Sequence, residues 1–153
     1  MCVILDTNRF SDALSTPPKA DYVPLVRWLL EGSGFAVFGG SKYAEEIRKH
    51  AQAQRFFAAL VRAGRARRIP MADVDREAAS LEASDVCVSD DHHLLALARS
   101  AGARVICTED TDLMQDVKNP ALLNKPRGRV YRRAGHTELL HHDRGCQKPQ
   151  TRA

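Results

Sequence analysis

Carboxylate residues follow apolar stretches at several separate places in the sequence. Asp6 comes immediately after Val3-Ile4-Leu5, and Asp110 comes three residues after Val105-Ile106-Cys107, with Asp112 close behind. Because such apolar stretches indicate buried strands, we expect these acids at the carboxyl ends of strands. Functional sites of open α/β sheets lie beyond this edge, so the acids are candidates for chemistry.

Further acids are predicted near the same edge of the sheet. Asp90 and Asp91 open a predicted helix, and Glu46 lies one turn into a predicted helix that begins at Ser41. Carboxylates that gather in one place repel one another and raise one another's pKa, so they need cations. Mg²⁺ and Mn²⁺ prefer oxygen ligands, and a pair of such ions can activate water for phosphodiester cleavage. The pattern therefore predicts a metal-dependent nuclease.

Each acid also has an ordinary structural explanation. Asp6 could serve only as the cap of the short helix that follows it, and the same holds for Asp90 or Asp91, between which helical spacing does not choose. Asp110 and Asp112 could be first-turn acids that the helix dipole favours. The adjacent glutamates of the helix after the second strand are typical of a solvated helix face. The argument depends on the joint placement of all four segments.

The order of the predicted elements indicates the fold class. Strands and helices alternate, and the strands are very apolar, which predicts an α/β sandwich with a mainly parallel sheet. Ser41 is expected to cap one helix, and Ser89 with Asp90 another that runs through Ala101. The predicted strands cover residues 3–5, 35–38, 67–70 (as an edge strand), 105–107 and 128–131.

The 153 residues suffice for one domain, which we place at residues 1–142, with a basic, flexible tail at 143–153. The last thirty residues carry eight basic and two acidic residues, whereas the rest carries fifteen basic and seventeen acidic ones. Arg129, Arg132 and Arg133 surround an aromatic residue and are predicted to contact an RNA backbone, with a solvated strand edge as the alternative.

Other patterns exclude several classes of protein. The apolar runs are far shorter than the roughly 20 residues of a membrane helix, and no secretory signal is evident, so we expect a cytoplasmic protein without a membrane partner. The four cysteines form no Cys-x-x-Cys pair and are expected to be free thiols. A zinc cluster of His136, His141, His142 and Cys146 is disfavoured, because its spacing matches no standard zinc pattern.

Four segments between residues 2 and 117 together resemble the PIN-domain family. The first looks like the family's opening strand, Asp and Thr/Ser-Asn, and the second like its Ser-plus-Glu helix. The third looks like its acid followed by an Ala-rich helix, and the fourth like its strand-Thr-x-Asp-x-Asp block. In order, they are residues 3–8, 41–46, 89–98 and 105–113.

The resemblance implies a three-layer α/β/α sandwich and a Mg²⁺- or Mn²⁺-dependent endoribonuclease. It implies a two-metal mechanism in which water is the nucleophile, with products that carry 5′-phosphate and 3′-hydroxyl ends. The implied catalytic residues and metal ligands are Asp6, Glu46, Asp91 and Asp110, with Asp112 as a further ligand. The implied accessory residues are Thr7, Asn8, Ser41, Asp90 and Thr108.

The resemblance also implies partners besides the RNA substrate. Many bacterial members are VapC-type toxins of toxin–antitoxin pairs and are often dimeric, which implies a cognate antitoxin and a homodimer. The stretch between Gly64 and Val88 and the long basic tail depart from the compact toxins.

Two other functions compete with the nuclease. One is a non-catalytic PIN-like module that binds RNA or a protein through the tail. The other is a phosphatase or phosphotransfer domain with Asp6 as nucleophile, but an Asp-x-Asp phosphatase would need an acid where Asn8 stands.

Overall fold

A computed structural model describes residues 2–124 and 127–140 of the chain. Its sheet has five strands in the order β3-β2-β1-β4-β5, and every neighbouring pair is parallel. The parallel sheet predicted from the sequence is therefore confirmed. The strands are β1 (Cys2–Leu5), β2 (Phe35–Gly39), β3 (Ala66–Ile69), β4 (Val105–Cys107) and β5 (Arg129–Tyr131).

Helices form each connection between successive strands and cover the sheet, so the fold is a three-layer α/β/α sandwich. Short 3-10 helices occur at Thr7–Arg9, Ala20–Tyr22 and Ala134–Leu139. The α-helices are α1 (Phe10–Ala13), α2 (Val23–Leu30), α3 (Ser41–Arg48), α4 (Ala51–Arg62), α5 (Met71–Ser84), α6 (His92–Ala101) and α7 (Thr111–Lys118).

The central strands bring their carboxyl ends to the same level. Every residue of β1 and of β4 is buried, as expected for strands that are covered on both faces. Leu5 pairs with Cys107, and the Asp6 backbone N–H donates to the Cys107 carbonyl at 2.9 Å. The register thus puts Asp6 next to Thr108. By contrast, β3 lies at the edge of the sheet, as predicted, and exposes both of its arginines.

Two predicted helix caps are wrong. The cap of α3 is Gly40, and Ser41 is the first helical residue. Glycine suits the cap position because its φ is +90° and a Cβ there would lie 2.7 Å from a Val74 methyl. The backbone N–H and hydroxyl of Ser41 both donate to the Asp75 carboxylate on α5. The cap of α6 is Asp91, and Ser89 instead accepts a hydrogen bond from the Asp91 N–H at 2.9 Å.

The cysteines differ in part from the expectation. Cys87 and Cys107 are free thiols, whereas Cys2 forms a disulfide bond, so the expectation of a free thiol is wrong there. Pairing depends on how closely two residues approach in the fold, which spacing in the sequence does not reveal. The proposed tail at 143–153 and the histidines at 141 and 142 lie outside the described residues.

Within residues 2–124 and 127–140, no helix has the length and apolar character to cross a membrane.

Candidate active site

Asp6 lies at the centre of the acidic edge, where β1 ends. It is 5% exposed, and the Thr108 hydroxyl donates to its Oδ2 at 2.6 Å. Burial raises the pKa of Asp6, hydrogen bonds from Thr108 and the Asn8 backbone lower it in part, and the charge of Asp110 raises it again. A buried carboxylate with a raised pKa beside another acid is the environment that a bound cation would stabilise.

Asp110 has two roles at the end of β4. Its Oδ1 accepts hydrogen bonds from the backbone N–H groups of Asp112 at 2.9 Å and Leu113 at 3.3 Å, which caps α7. Its own N–H donates to the Thr108 hydroxyl at 3.1 Å. The same hydroxyl therefore connects Asp110 to Asp6. The capping that the sequence left as an alternative to a functional role is real, and it accompanies placement next to Asp6.

Asp91 joins these two acids from the start of α6. Burial, the charge of Asp6 and a hydrogen bond with the Asp110 side chain together raise the pKa of Asp91 to about 6. Lys42 acts in the opposite direction. Because the acids shift the pKa of Asp91, this residue is the one that faces them, whereas Asp90 is exposed. The structure thus decides a choice that helical spacing left open.

Glu46 approaches from the fourth segment, α3. Tyr43 fixes this helix, since its buried hydroxyl donates to the Leu5 carbonyl at 2.6 Å. Burial raises the pKa of Glu46, a hydrogen bond with the Thr7 side chain and the charge of Lys42 lower it, and the charge of Asp6 raises it. The Oε2 atom of Glu46 is buried and has no hydrogen-bond partner among the described residues.

The structure brings part of the predicted set together. The four acids from separate segments interact through their charges, with Thr7 and Thr108 bonded to two of them. Ser41 bonds to Asp75 on α5 instead. The Asn8 side chain, which is exposed, accepts a hydrogen bond from Arg9, and Asp90 and Asp112 are also exposed.

The chemistry of the acidic cluster fits a hard divalent cation, although the carboxylates are not closed around a point. Among residues 2–124 and 127–140, no three His, Cys, Asp or Glu side chains are grouped as a preformed metal site. The donors are nevertheless all oxygen atoms, and they include the unpaired Glu46 Oε2. Burial and, to a smaller extent, their mutual repulsion raise the pKa of Asp6, Glu46 and Asp91. A cation among them would remove this repulsion.

Asp116 is a positioning residue that the sequence analysis missed. Its carboxylate is 1% exposed and accepts hydrogen bonds from the backbone N–H groups of Val88 and Ser89, each at 2.8 Å. These bonds fix the segment that leads to Asp91. An acid beside Val117 on the apolar face of α7 was the available signal, because an acid there needs buried donors.

A basic cleft of about 520 Å³ adjoins the acidic edge. Arg132 pairs with Glu109 at 3.2 Å, and Glu109 immediately precedes Asp110 in the chain. Lys118, which the sequence analysis did not single out, also lines the cleft. The other charged or titratable residues that line it are Asp21, Arg129, Arg133, His136 and Glu138.

A larger cavity of about 630 Å³ lies between α3, α4 and β3. Its walls are mostly apolar, with Arg48, Arg62 and Arg68 among them, and they carry none of the predicted site residues. Size alone does not identify a catalytic site, and the perturbed carboxylates lie elsewhere. The acidic edge is therefore the candidate site.

The fold and the site define a class: an α/β/α sandwich with an acidic cluster where the central strands end. Comparisons of this chain with protein-family models, curated proteins and solved structures found no match. A function for the chain is therefore inferred from its site.

Proposed function

We propose that this chain is a Mg²⁺- or Mn²⁺-dependent endoribonuclease of the PIN-domain type. The observation that carries the proposal is the convergence of four carboxylates, Asp6, Glu46, Asp91 and Asp110, from four separate elements. Such a cluster is costly for an apo protein, because burial and like charges both disfavour ionised carboxylates. The cost is understandable where cations bind, and the motifs that resemble the PIN family are the ones that supply these acids.

The four carboxylates would hold the cations, with Asp112 as a further ligand from the first turn of α7. When bound, Mg²⁺ or Mn²⁺ polarises an attacking water and offsets charge on the leaving oxygen. One carboxylate takes the proton that the water loses. The water oxygen forms a bond to phosphorus, the bond to the 3′-oxygen breaks, and this oxygen takes a proton from solvent. The products carry 5′-phosphate and 3′-hydroxyl ends.

The basic cleft would hold the RNA backbone beside the acids. Arg129, Arg132 and Arg133 are exposed, and Lys118 lines the same cleft. Phosphate contacts of this kind position a nucleic acid without reading its sequence. Glu109, which lines the cleft, immediately precedes Asp110 in the chain, so the two regions are adjacent at this point.

The decisive experiment is RNA cleavage by the purified protein. We expect cleavage in Mn²⁺ or Mg²⁺ that EDTA stops. Asp6→Asn should reduce the rate of cleavage about 100-fold or more, since loss of a group that only hydrogen-bonds to a metal ligand already costs about 10–100-fold in activity. Asp73→Asn, at an exposed acid on α5, is the matched control. Undiminished cleavage in Asp6→Asn contradicts the metal-site assignment, and metal-independent RNA binding without cleavage supports the non-catalytic module.

We further propose that the nuclease is the toxin of a type II toxin–antitoxin pair and acts as a cytoplasmic homodimer. This extension rests on the family resemblance. A small DNA-binding protein encoded directly upstream, whose co-expression relieves growth arrest and blocks cleavage, is the expected finding. Growth that continues when the chain is expressed alone contradicts the toxin role without touching the nuclease site.

A further inference from the structure

His93 is a buried histidine on α6 with unusual surroundings. Its side chain is only 7% exposed, and neither ring nitrogen has a hydrogen-bond partner among the described residues. Buried polar atoms are nearly always paired in folded proteins, so an imidazole with two unpaired nitrogens requires an explanation. Ordinary packing does not give one, because an apolar side chain of similar volume would avoid the cost of desolvation.

The atom that faces His93 is itself unpaired. Glu46 Oε2 lies 3.6 Å from His93 Nε2, and it too is buried without a hydrogen bond in the described part of the chain. The two residues belong to α3 and α6, which pack against each other. A shift of roughly 0.6 Å would bring the pair to an ordinary hydrogen-bond distance of about 3.0 Å. This shift would pair the ring N–H of His93 with the Glu46 Oε2 acceptor, so that neither group remained without a hydrogen bond.

We propose that His93 is a positioning residue whose ring N–H holds the Glu46 carboxylate in the orientation required for cation binding. A neutral imidazole has one N–H donor, which suffices for this bond. His93 acts on Glu46 and not on the RNA. The proposal rests on the proposed function only through the role of Glu46 as a cation ligand.

The size of the effect follows from comparable interactions. Groups that hydrogen-bond to metal ligands fix the orientation of those ligands, and their loss typically weakens metal binding about 10–100-fold. A purely structural histidine would behave differently, because its replacement would change stability and leave cation affinity alone. Metal affinity and thermal stability, measured on the same variants, therefore separate the two roles.

The experiment measures the Kd for Mn²⁺ from the electron paramagnetic resonance signal of the free ion. We expect His93→Leu to weaken binding about 10–100-fold without lowering Tm, because leucine is apolar and similar in size. His93→Gln, which keeps a donor, should restore most of the affinity. His92→Leu, at the neighbouring half-buried histidine, is the matched control and should bind Mn²⁺ normally.

A double-mutant cycle with Glu46→Gln tests whether His93 acts through Glu46. His93→Leu should then cause no further loss of Mn²⁺ affinity, because the carboxylate that it orients is gone. An equal loss in both backgrounds overturns the proposal, and so does unchanged affinity in His93→Leu. If the leucine variant does not fold, His93→Asn, whose donor is too short to reach, must still weaken binding.

The outcomes also distinguish failure of the proposed role of His93 from failure of the proposed nuclease function. Wild-type protein that binds Mn²⁺ and cuts RNA while the His93 variants bind equally well overturns only the role of His93. Wild-type protein that binds no Mn²⁺ overturns both. In variants that retain cleavage, the Mn²⁺ concentration at half-maximal rate should rise, while the rate at saturating Mn²⁺ changes less.

Discussion

At the scale of single residues, one hydroxyl fixes two of the acids. Thr108 is fully buried, donates to Asp6 at 2.6 Å and accepts from the Asp110 N–H at 3.1 Å. Asp6 and Asp110 are 104 positions apart in the sequence, so their relative placement depends on this threonine and on the register of β1 and β4.

We expect Thr108→Val, which keeps the shape but removes the hydroxyl, to reduce cleavage and Mn²⁺ affinity about 10–100-fold. Both carboxylates lose a fixed partner in this variant. Thr111→Val, at the exposed first residue of α7, is the matched control. Wild-type affinity in Thr108→Val would show that the acids are held by other contacts.

Ionisation of the buried, mutually repelling carboxylates should lower the free energy of unfolding by a measurable amount. Because the pKa of Asp91 is raised to about 6 in the folded chain, its stabilising contribution is present below the unfolded pKa, near 4, and is lost as the pH rises through 6. In metal-free protein at pH 7.5, we expect Asp91→Asn to raise Tm by about 2–4 °C, partial exposure limiting the gain.

The difference in Tm between Asp91→Asn and the wild type should shrink as the pH falls from about 7.5 to 5, where Asp91 takes up its proton. Mn²⁺ should raise the Tm of the wild type more than that of the variant, because it binds the intact site more tightly. Asp90→Asn, at the exposed neighbouring acid, serves as control. A lower Tm for Asp91→Asn at pH 7.5 would contradict a repulsive cluster.

At the scale of elements, α7 organises the site from both of its ends. Asp110 caps its first turn, and Asp116 on its buried face holds the segment that leads into α6. The helix thereby couples the end of β4 to the start of α6, where Asp91 lies. A substitution on α7 should therefore change the position of Asp91.

We expect Asp116→Asn to leave one of the two backbone N–H groups of Val88 and Ser89 unpaired, because an amide has only one acceptor oxygen. The cost is about 1–3 kcal/mol. Each kcal/mol lowers Tm by about 2–4 °C in a chain of this size. Faster hydrogen exchange at Val88 and Ser89, together with slower cleavage, should accompany the loss.

Asp85→Asn is the control for Asp116→Asn, since Asp85 has a φ of +55° that asparagine tolerates. Unchanged exchange at the two amides of the Asp116 variant would show that its carboxylate does not organise this segment.

At the scale of the whole molecule, acidic and basic groups are separated. The carboxylates lie where the central strands end, and the basic side chains of the cleft lie beside β5. A phosphodiester chain needs both, since basic groups hold its phosphates and bound cations act at the bond that breaks. The proposed function therefore predicts that affinity for RNA and cleavage can be changed separately.

We expect Arg129→Gln with Arg133→Gln to weaken binding of single-stranded RNA and to reduce the slope of log K against log salt by about 0.7 for each lost phosphate contact. The measurement uses the Asp6→Asn background, so that substrate survives. Arg55→Gln, at an exposed arginine on α4, is the control. An unchanged slope in the double variant would mean that RNA binds elsewhere.

The sequence by itself determined the fold class and the segments of the site. The apolar strands, their alternation with helices and the acids at strand ends depend on local patterns, and the parallel sheet, the edge position of β3 and the proximity of Asp6 to Asp110 agree with them. Strand ends are predictable because all parallel strands deliver their carboxyl ends to one edge.

Only the tertiary structure decided which polar groups face one another. It placed Asp91 rather than Asp90 against the other acids, a choice that helical spacing left open. It also paired Ser41 with Asp75 and brought Lys118 into the basic cleft and His93 against Glu46. A polar side chain at the start of a helix can cap that helix, form a hydrogen bond with a distant element or face the acidic cluster. Local sequence does not distinguish these outcomes, because their local free energies are similar. Contacts between distant elements make that choice, and these contacts exist only once the chain has folded.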